Sequence, residues 1–336
     1  MVAHGTVELR LRSMAQMIAP PEVSVVMSVF NGERFLRASI ESILGQQGLA
    51  LEFLVIDDGS TDSTPIILDR YARQDPRIRI LRQENAGLTK ALIWGCSEAK
   101  GKFIARQDVD DLSLSGRLAR QAALFAADPS LSMVSCTVGY VGPEGEHLCD
   151  RSGPQDSLQA TADLVDNYRG PVHGSVMFRK SAYEQAGGYR PEFYFGQDSD
   201  LWLRIGELGS IAYLPERLYL FRVSEHGLGA RWSESQARLG ELSHVCQQAR
   251  RAGVSEEAVL SEARKIRPAL LPAKETDPKG AAGLWFLSRC LLQNGDRRGL
   301  KYAWRYVRCR PGELKGWLSA IWGIFSTWHR EATFKT

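Results

Sequence analysis

The chain has 336 residues, 44% hydrophobic and 24% charged, an ordinary globular composition long enough for one large domain with an appendage or for two domains. Its net charge of +3, with no long Lys/Arg run interleaved with aromatics in the first 230 residues, lacks the electrostatic footprint of nucleic-acid binding. The six cysteines (Cys96, Cys136, Cys149, Cys246, Cys290, Cys309) make no C-x-x-C pair and no zinc-ligand spacing, so they read as small buried hydrophobes in a reducing cytosol.

Residues 1–21 have no uninterrupted apolar core of signal-peptide length and read as a loose tail. "EVSVVMSVF" (22–30) is apolar and β-branched, the pattern of a buried strand. Phe35, Leu36, Ile40, Ile43 and Leu44 then recur at helical spacing. "LEFLVIDDGS" (51–60) is a second strand ending in Asp57 and Asp58. Thr61 or Asp62 opens a helix with Pro65 in its first turn. "RIRILRQ" (77–83) alternates with polar residues, which suits a strand nearer an edge, and "AGLTKALIWGCSEAKG" predicts a helix closed by Gly101. "KFIARQ" is a fourth strand.

Strands alternating with helices predict an α/β fold with a Rossmann-like, doubly wound, mostly parallel sheet. Ligands bind such sheets beyond the C-terminal ends of the strands. Asn31, Asp57, Asp58, Asp108 and Asp110 all follow strand ends, so they converge on one rim. "KFIARQDVDDLS" puts three carboxylates, Asp108, Asp110 and Asp111, into four positions. Two carboxylates about 5 Å apart repel by roughly 3 kcal/mol at an effective dielectric of ~20. A divalent cation between them removes that cost, and Mg²⁺ or Mn²⁺ shares carboxylates with substrate phosphates.

After about residue 128 the alternation loosens. "SLSMVSCTVGYVGPEGE" predicts a strand and a hairpin turning at Gly142–Gly145, and "PVHGSVMFRKSAYEQAGGYR" a strand, a short helix and a glycine stop. "DSDLWLRIGELG" reads as a helix with Asp198 and Asp200 in its first turn, and "IAYLPERLYLFRV" as one or two short strands. From about 230 the pattern is helical.

A dehydrogenase would carry G-x-G-x-x-G after the first strand, where this chain has "VFNGERF"; a P-loop motif is absent; and a phosphatase with an aspartyl nucleophile would place its Asp where Phe30-Asn31 stand. Seven blocks in order, "VSVVMSVFNGERFL", "LVIDDGSTDST", "NAGLTKAL", "AKGKFIARQDVDD", "RLARQ", "HGSVMFRKSAYEQAGGYR" and "GQDSDLWLR", resemble glycosyltransferase family 2, the inverting nucleotide-sugar transferases of GT-A fold. The resemblance runs from Val23 to about Gly227. It implies a GT-A catalytic domain over 22–228, with a nucleotide-sugar half over about 22–128 and an acceptor half over about 129–228, followed by a helical C-terminal region over 229–336.

The resemblance also implies roles. Val29, Asn31 and Glu33 cradle the nucleotide, Asp57 or Asp58 holds the base or ribose, and Lys90 lies near the diphosphate or sugar. Asp108 and Asp110 correspond to the family's D-x-D, with Asp110 on the Mn²⁺ or Mg²⁺ ion, Asp108 on the ion or on sugar hydroxyls, and His226 a further ligand candidate. Asp198 is the candidate base, because Gln197 stands where relatives have Glu and cannot accept the proton. His173, Gln197, Asp200 and Arg204 are candidates for acceptor contacts. The implied donor is a nucleotide-sugar, UDP first and dTDP or GDP as alternatives. The implied acceptor is a glycan, lipid-linked in bacterial surface polysaccharide synthesis, with a protein hydroxyl as a second reading. A degenerate GT-A module that only binds nucleotide or glycan is a further alternative.

Processive relatives carry Q-x-x-R-W; "LGARW" (228–232) has Leu228 in the Gln position, so one sugar per encounter is expected. No run reaches the roughly 20 apolar residues that span a bilayer. The tail from 297 is rich in Arg and Lys, and it carries the uncharged "GWLSAIWGIFSTW" between Lys315 and His329. This suits either a helix lying on an anionic membrane surface or one packed on protein, including a second subunit. The expected location is cytoplasmic or peripheral on the inner face of the cytoplasmic membrane.

Overall fold

The computed structural model describes residues 20–223, 233–267, 281–314 and 317. The chain forms two compact units: Met1–Val138, Ser152–Leu220 and Leu239–Ile266 make the first, and Gly139–Arg151, Phe221–Arg238 and Arg267–Thr336 the second. Residues 1–19 of the tail expected over 1–21, His226, the "LGARW" stretch and the apolar run after Trp317 lie outside the described residues.

In order, the first elements are β1 (Val23–Val29), α1 (Leu36–Leu44), β2 (Leu51–Asp57), α2 (Thr64–Gln74), β3 (Ile78–Arg82), α3 (Leu88–Ser97) and β4 (Phe103–Arg106). There follow β5 (Leu112–Ser113), α4 (Arg117–Ala127), β6 (Leu131–Val141), β7 (His147–Arg151), α5 (Ser157–Val165), β8 (Met177–Arg179), α6 (Lys180–Gln185), α7 (Gln197–Gly206) and β9 (Ser210–Arg222). The last helices are α8 (Ser233–Arg251), α9 (Glu257–Ala263), α10 (Ala281–Gln293) and α11 (Gly299–Cys309).

The sheet of the first unit runs β3-β2-β1-β4-β8-β6-β9-β5. β1 pairs in parallel with β2 and β4, and β2 with β3, so the polar β3 stands at the edge as its alternation predicts. β8 is antiparallel to both β4 and β6, and β5 is antiparallel to β9. Alternate residues of the central strands enter separate cores. Val25, Met27, Phe53 and Val55 pack with Leu36, Ile40 and Ile43 of α1; Val26, Leu54, Ile56 and Ile104 pack with Leu92 of α3 and Leu201 of α7. A sheet covered on both faces explains why β1 and β2 are continuous apolar runs.

Three local expectations change. α2 begins at Thr64, later than Thr61 or Asp62, because Asp62 Oδ1 accepts the Thr64 N–H at 2.9 Å and spends the acidic side chain before the first turn. α3 ends at Ser97; Gly101 instead lies against β1, donating its N–H to Ser24 Oγ at 2.7 Å, where a Cβ would meet the Ser24 nitrogen at 2.5 Å. "SIAYLPERLYLFR" forms one strand of 13 residues rather than short pieces. β5 pairs only with Tyr219 and Leu220, and a proline such as Pro215 is tolerated where no ladder bond is required. Of the cysteines, Cys96, Cys136 and Cys246 are buried, while Cys149, Cys290 and Cys309 are only partly so.

In the second unit, the hairpin into β7 closes with the Gly142 N–H on the Glu146 carbonyl at 2.7 Å. α10 and α11 pack Leu284, Leu287, Leu291, Tyr302 and Tyr306 with Leu148 of β7. Among the described residues, no helix is long and apolar enough to cross a membrane.

Within α7, Asp200 and Arg204 are both buried and bonded to each other, Arg204 Nε lying 3.2 Å from Asp200 Oδ2; Arg190 Nη1 adds a second cation 3.6 Å from Asp200 Oδ1. Removing one partner of such a pair leaves an uncompensated buried charge. Arg204→Met is expected to lower unfolding free energy by about 3 kcal/mol, measured by urea denaturation of the purified chain; an unchanged midpoint would show that Arg190 alone supports Asp200.

Candidate active site

The C-terminal ends of β1, β2 and β3 carry the first group of expected residues. Val29 is buried in the core. Asn31 turns the chain in the left-handed region (φ 52°), and its side-chain oxygen accepts the Thr61 N–H at 2.8 Å. Glu33 Oε2 accepts the Ser63 N–H at 3.0 Å, and the Gly32 N–H reaches Thr64 Oγ1 at 2.9 Å. The loops after β1 and β2 are therefore stitched together by the residues expected to cradle a nucleotide.

Asp57 and Asp58 are both buried. Asp57 Oδ1 accepts the Ser60 N–H at 3.0 Å, and Arg82 Nε lies 3.9 Å from its other oxygen. Asp58 accepts the Gln83 amide at 2.6 Å and the N–H groups of Ala86 and Gly87, each at 2.9 Å, which fixes the loop leading into α3. Lys90 is exposed in the first turn of α3. Thr89 ties that helix to the segment before α7 by donating to the Phe193 carbonyl at 2.8 Å. Tyr194 follows, its phenol pushed up by burial and by the Asp58 charge.

β4 delivers the acidic turn. Gln107, fully buried, donates to the carbonyls of Asp108 (3.1 Å) and Asp111 (2.9 Å) and accepts the Ser113 hydroxyl (2.6 Å). The Asp111 N–H closes the turn on the Asp108 carbonyl at 3.2 Å. Asp108 and Asp110 are half-buried, and Asp111 is buried with its carboxylate accepting the Tyr219 hydroxyl at 2.8 Å.

Beneath the turn lies Arg106, a residue the sequence reading passed over. It is fully buried, and it donates from Nη2 to Asp108 Oδ1 at 2.8 Å, from Nε to His173 Nε2 at 3.2 Å, and from Nη1 to the Val26 carbonyl. The guanidinium stays charged despite desolvation because the Asp108 carboxylate raises its pKa. A second buried guanidinium, Arg117, donates to the carbonyls of Arg106 (2.9 Å) and Gly174 (2.7 Å) and lies over the Tyr219 ring. A signal for Arg106 was present: an arginine closing an otherwise apolar strand needs a nearby carboxylate, and Asp108 is two residues on.

His173 accepts at Nε2 from Arg106 and from the Tyr189 hydroxyl at 2.8 Å, so its ring is the neutral Nδ1–H tautomer. Burial and the Arg106 charge hold its pKa well below the usual histidine value. Asp198 opens α7, half-buried, with Oδ1 accepting its neighbour's N–H from Ser199 at 3.0 Å. Burial pushes its carboxyl up, and the Asp108 charge adds to the rise while Arg106 opposes it. Asp198 and Asp108 thus feel each other across one site. Gln197 is buried beside it. Asp200 and Arg204, expected at the acceptor, are instead turned inward into the ion pair described above.

Asp108 and His173 both bond Arg106, Asp198 lies within electrostatic reach of it, and the Asp57/Asp58 loops close at strand ends of the same unit. Among the described residues, no three His, Cys, Asp or Glu side chains converge into a ready-made metal cage.

A parallel sheet that turns antiparallel, with an acidic turn at the strand ends, defines the GT-A class. The family model described as "Glycosyl transferase family 2" matches residues 24–187. EpsE of Bacillus subtilis (strain 168), named as a glycosyltransferase, is 37% identical over 210 residues, 60% of this chain and 73% of its own length. The O-antigen biosynthesis glycosyltransferase WbnJ of Escherichia coli is 30% identical over 186 residues, 54% of this chain and 71% of its own. This chain belongs to glycosyltransferase family 2.

Solved structures share the fold at low identity. S. aureus TarS (residues 1–349), also solved with UDP-GlcNAc, superposes with a TM-score of 0.55 at 16% identity, covering 94% of this chain and 91% of that one. The mannosyltransferase PcManGT from Pyrobaculum calidifontis, in complex with GDP-Man and Mn²⁺, gives 0.53 at 19% identity, covering 96% and 94%.

One position reports on the whole arrangement. A Cβ at Gly174 would fall 1.9 Å from Tyr219 Oη and 2.9 Å from Asp108 Oδ2. Gly174→Ala is expected to displace the acidic turn and lower kcat by about 10²-fold, with far-UV circular dichroism unchanged; wild-type turnover in this variant would show that the turn tolerates movement.

Proposed function

We propose that this chain transfers one sugar, with inversion, from a nucleotide-sugar to a hydroxyl of a glycan acceptor in the building of a bacterial surface polysaccharide. The observation that carries this reading is the acidic turn after β4, with Asp108 bonded to the buried Arg106, together with the half-buried Asp198 at the start of α7. Family membership supplies the reaction class. What similar proteins act on or bind supports the substrates: O-antigen biosynthesis for WbnJ, UDP-GlcNAc in TarS, GDP-Man with Mn²⁺ in PcManGT. A UDP-sugar is the first choice of donor, and a lipid-linked glycan the first choice of acceptor.

Asp198 accepts the proton of the attacking hydroxyl. The new bond from that oxygen to the anomeric carbon forms as the bond to the departing diphosphate breaks, so one in-line displacement inverts the centre. Asp57 and Asp58, held by backbone amides, present the fixed acceptors that a nucleoside requires. The loop of Asn31 and Glu33 shapes the edge of that pocket, and Lys90 meets the diphosphate or sugar. Gln197 lies at the acceptor side. His173, kept neutral, orients Tyr189 rather than carrying charge.

A divalent cation fits the donor set. Asp108 and Asp110 offer hard carboxylate oxygens, which such an ion shares with substrate phosphates. Asp110 is the principal ligand by its place in the family's D-x-D, and Asp108, whose Oδ1 accepts from Arg106, stands beside it. When bound, the cation neutralises charge developing on the leaving diphosphate.

Asp198→Asn is expected to reduce kcat by about 10²–10⁴-fold while donor binding persists, measured by nucleoside diphosphate release from a panel of UDP-, GDP- and dTDP-sugars. A variant with wild-type turnover would remove Asp198 from the base role. The pH profile follows from the sign of the shift. A base acts when ionised, and the folded carboxyl is raised above the ordinary aspartate value of 3.8, so kcat should fall on acidification at a higher pH than a solvated aspartate would give. The product from one acceptor should carry a single added sugar by mass spectrometry; a ladder would contradict the non-processive reading.

A further inference from the structure

The second unit carries a surface to which no residue of the proposed transfer site belongs. α11 divides cleanly: Tyr302, Ala303, Tyr306 and Val307 face inward, and Lys301, Trp304, Arg305 and Arg308 face solvent at positions i, i+3, i+4 and i+7. Trp304 is 46% exposed, and Trp317, itself 39% exposed, meets it edge-on with ring centroids 5.9 Å apart. Trp317 is fixed there by donating its indole N–H to the Pro311 carbonyl at 3.0 Å, and Leu314 beside it is 71% exposed. Two large indoles and a leucine thus stand in water on the cationic side of a helix.

The segment that carries them is strongly basic. Residues 296–310 hold six basic side chains (Arg297, Arg298, Lys301, Arg305, Arg308, Arg310) and one acid, Asp296. Asp296 binds Arg298 at 2.6 Å, and Glu144 from the β6–β7 hairpin binds Lys301. Glu313 is occupied with the Tyr306 hydroxyl. A second copy of this surface would bring two basic stripes together, which disfavours self-association through it. A soluble polyanion would meet the charge; the exposed Leu314 beside two indoles favours a surface that also has an apolar interior. Tryptophan bodies seat at the level of lipid headgroups, and flanking Arg and Lys bind anionic lipid.

We propose that the solvent face of α11, with Trp304 and Trp317 as its apolar seat, docks this protein on an anionic phospholipid surface. The inference rests on this unit alone and stands or falls independently of donor chemistry.

The test is co-sedimentation of the full chain with phosphatidylcholine vesicles, with and without about 30 mol% phosphatidylglycerol. Binding is expected only to the anionic vesicles, and should weaken as salt rises from ~0.1 M to ~0.5 M. Each of Lys301→Gln, Arg305→Gln and Arg308→Gln should lower partitioning roughly fivefold. Trp304→Ser should also lower it, with the blue shift of tryptophan emission on vesicles reduced. These exposed positions leave the Tyr302/Tyr306 core intact. Failure of the wild-type chain to bind anionic vesicles would overturn the proposal. So would binding that is indifferent to Trp304→Ser, which would mark a site for soluble polyanions instead.

Discussion

The site depends on a guanidinium that water does not reach. Stripping an arginine of its hydration costs several kcal/mol, so Arg106 is stable under the acidic turn only because every direction it faces supplies an acceptor. Asp108 takes one edge, the Val26 carbonyl another, and His173 the Nε–H. The constraint acts in both directions. Arg106 anchors the Asp108 carboxylate at the rim, forces His173 to remain neutral, and through His173 orients Tyr189. Arg117 then reads the Arg106 carbonyl and the Gly174 carbonyl, which locks β4 to the segment before β8.

The two sides of the site are built differently. The Asp57/Asp58 side is built from backbone amides closing on carboxylates. The Asp108/Asp198 side is built from like charges brought near each other, with a buried cation beneath to moderate them. A recognition pocket benefits from the first arrangement. A proton acceptor benefits from the second, because a carboxyl raised by burial is a stronger base than a solvated one.

The parallel half of the fold was legible because β-branched runs, helical spacing and terminal acids repeat there at short range. The rim was legible for the same reason: Asp57, Asp58, Asp108 and Asp110 follow strands that the pattern identifies. Asp200 and Arg204 misled, because an acid and a base four residues apart on a helix look alike whether they face solvent or the core, and only packing decides. Arg106 was missed because two of its partners, Val26 and His173, are far away in sequence. The single long β9 was hidden by Pro215, whose tolerance depends on which neighbours the strand finds. The Lys301–Arg308 stripe needed the structure too, since its meaning depends on Tyr302 and Tyr306 being turned inward.

The central claim is that the acidic turn over Arg106 holds a nucleoside diphosphate through a divalent cation. Calorimetric titration of UDP, GDP and dTDP into the wild-type chain and Asp110→Ala, each with Mn²⁺ or with EDTA, tests it directly. The account predicts that one nucleotide binds with Mn²⁺, that EDTA weakens it by about tenfold or more, and that Asp110→Ala removes the difference. Equal affinity with Mn²⁺ and with EDTA in the wild-type chain would contradict it.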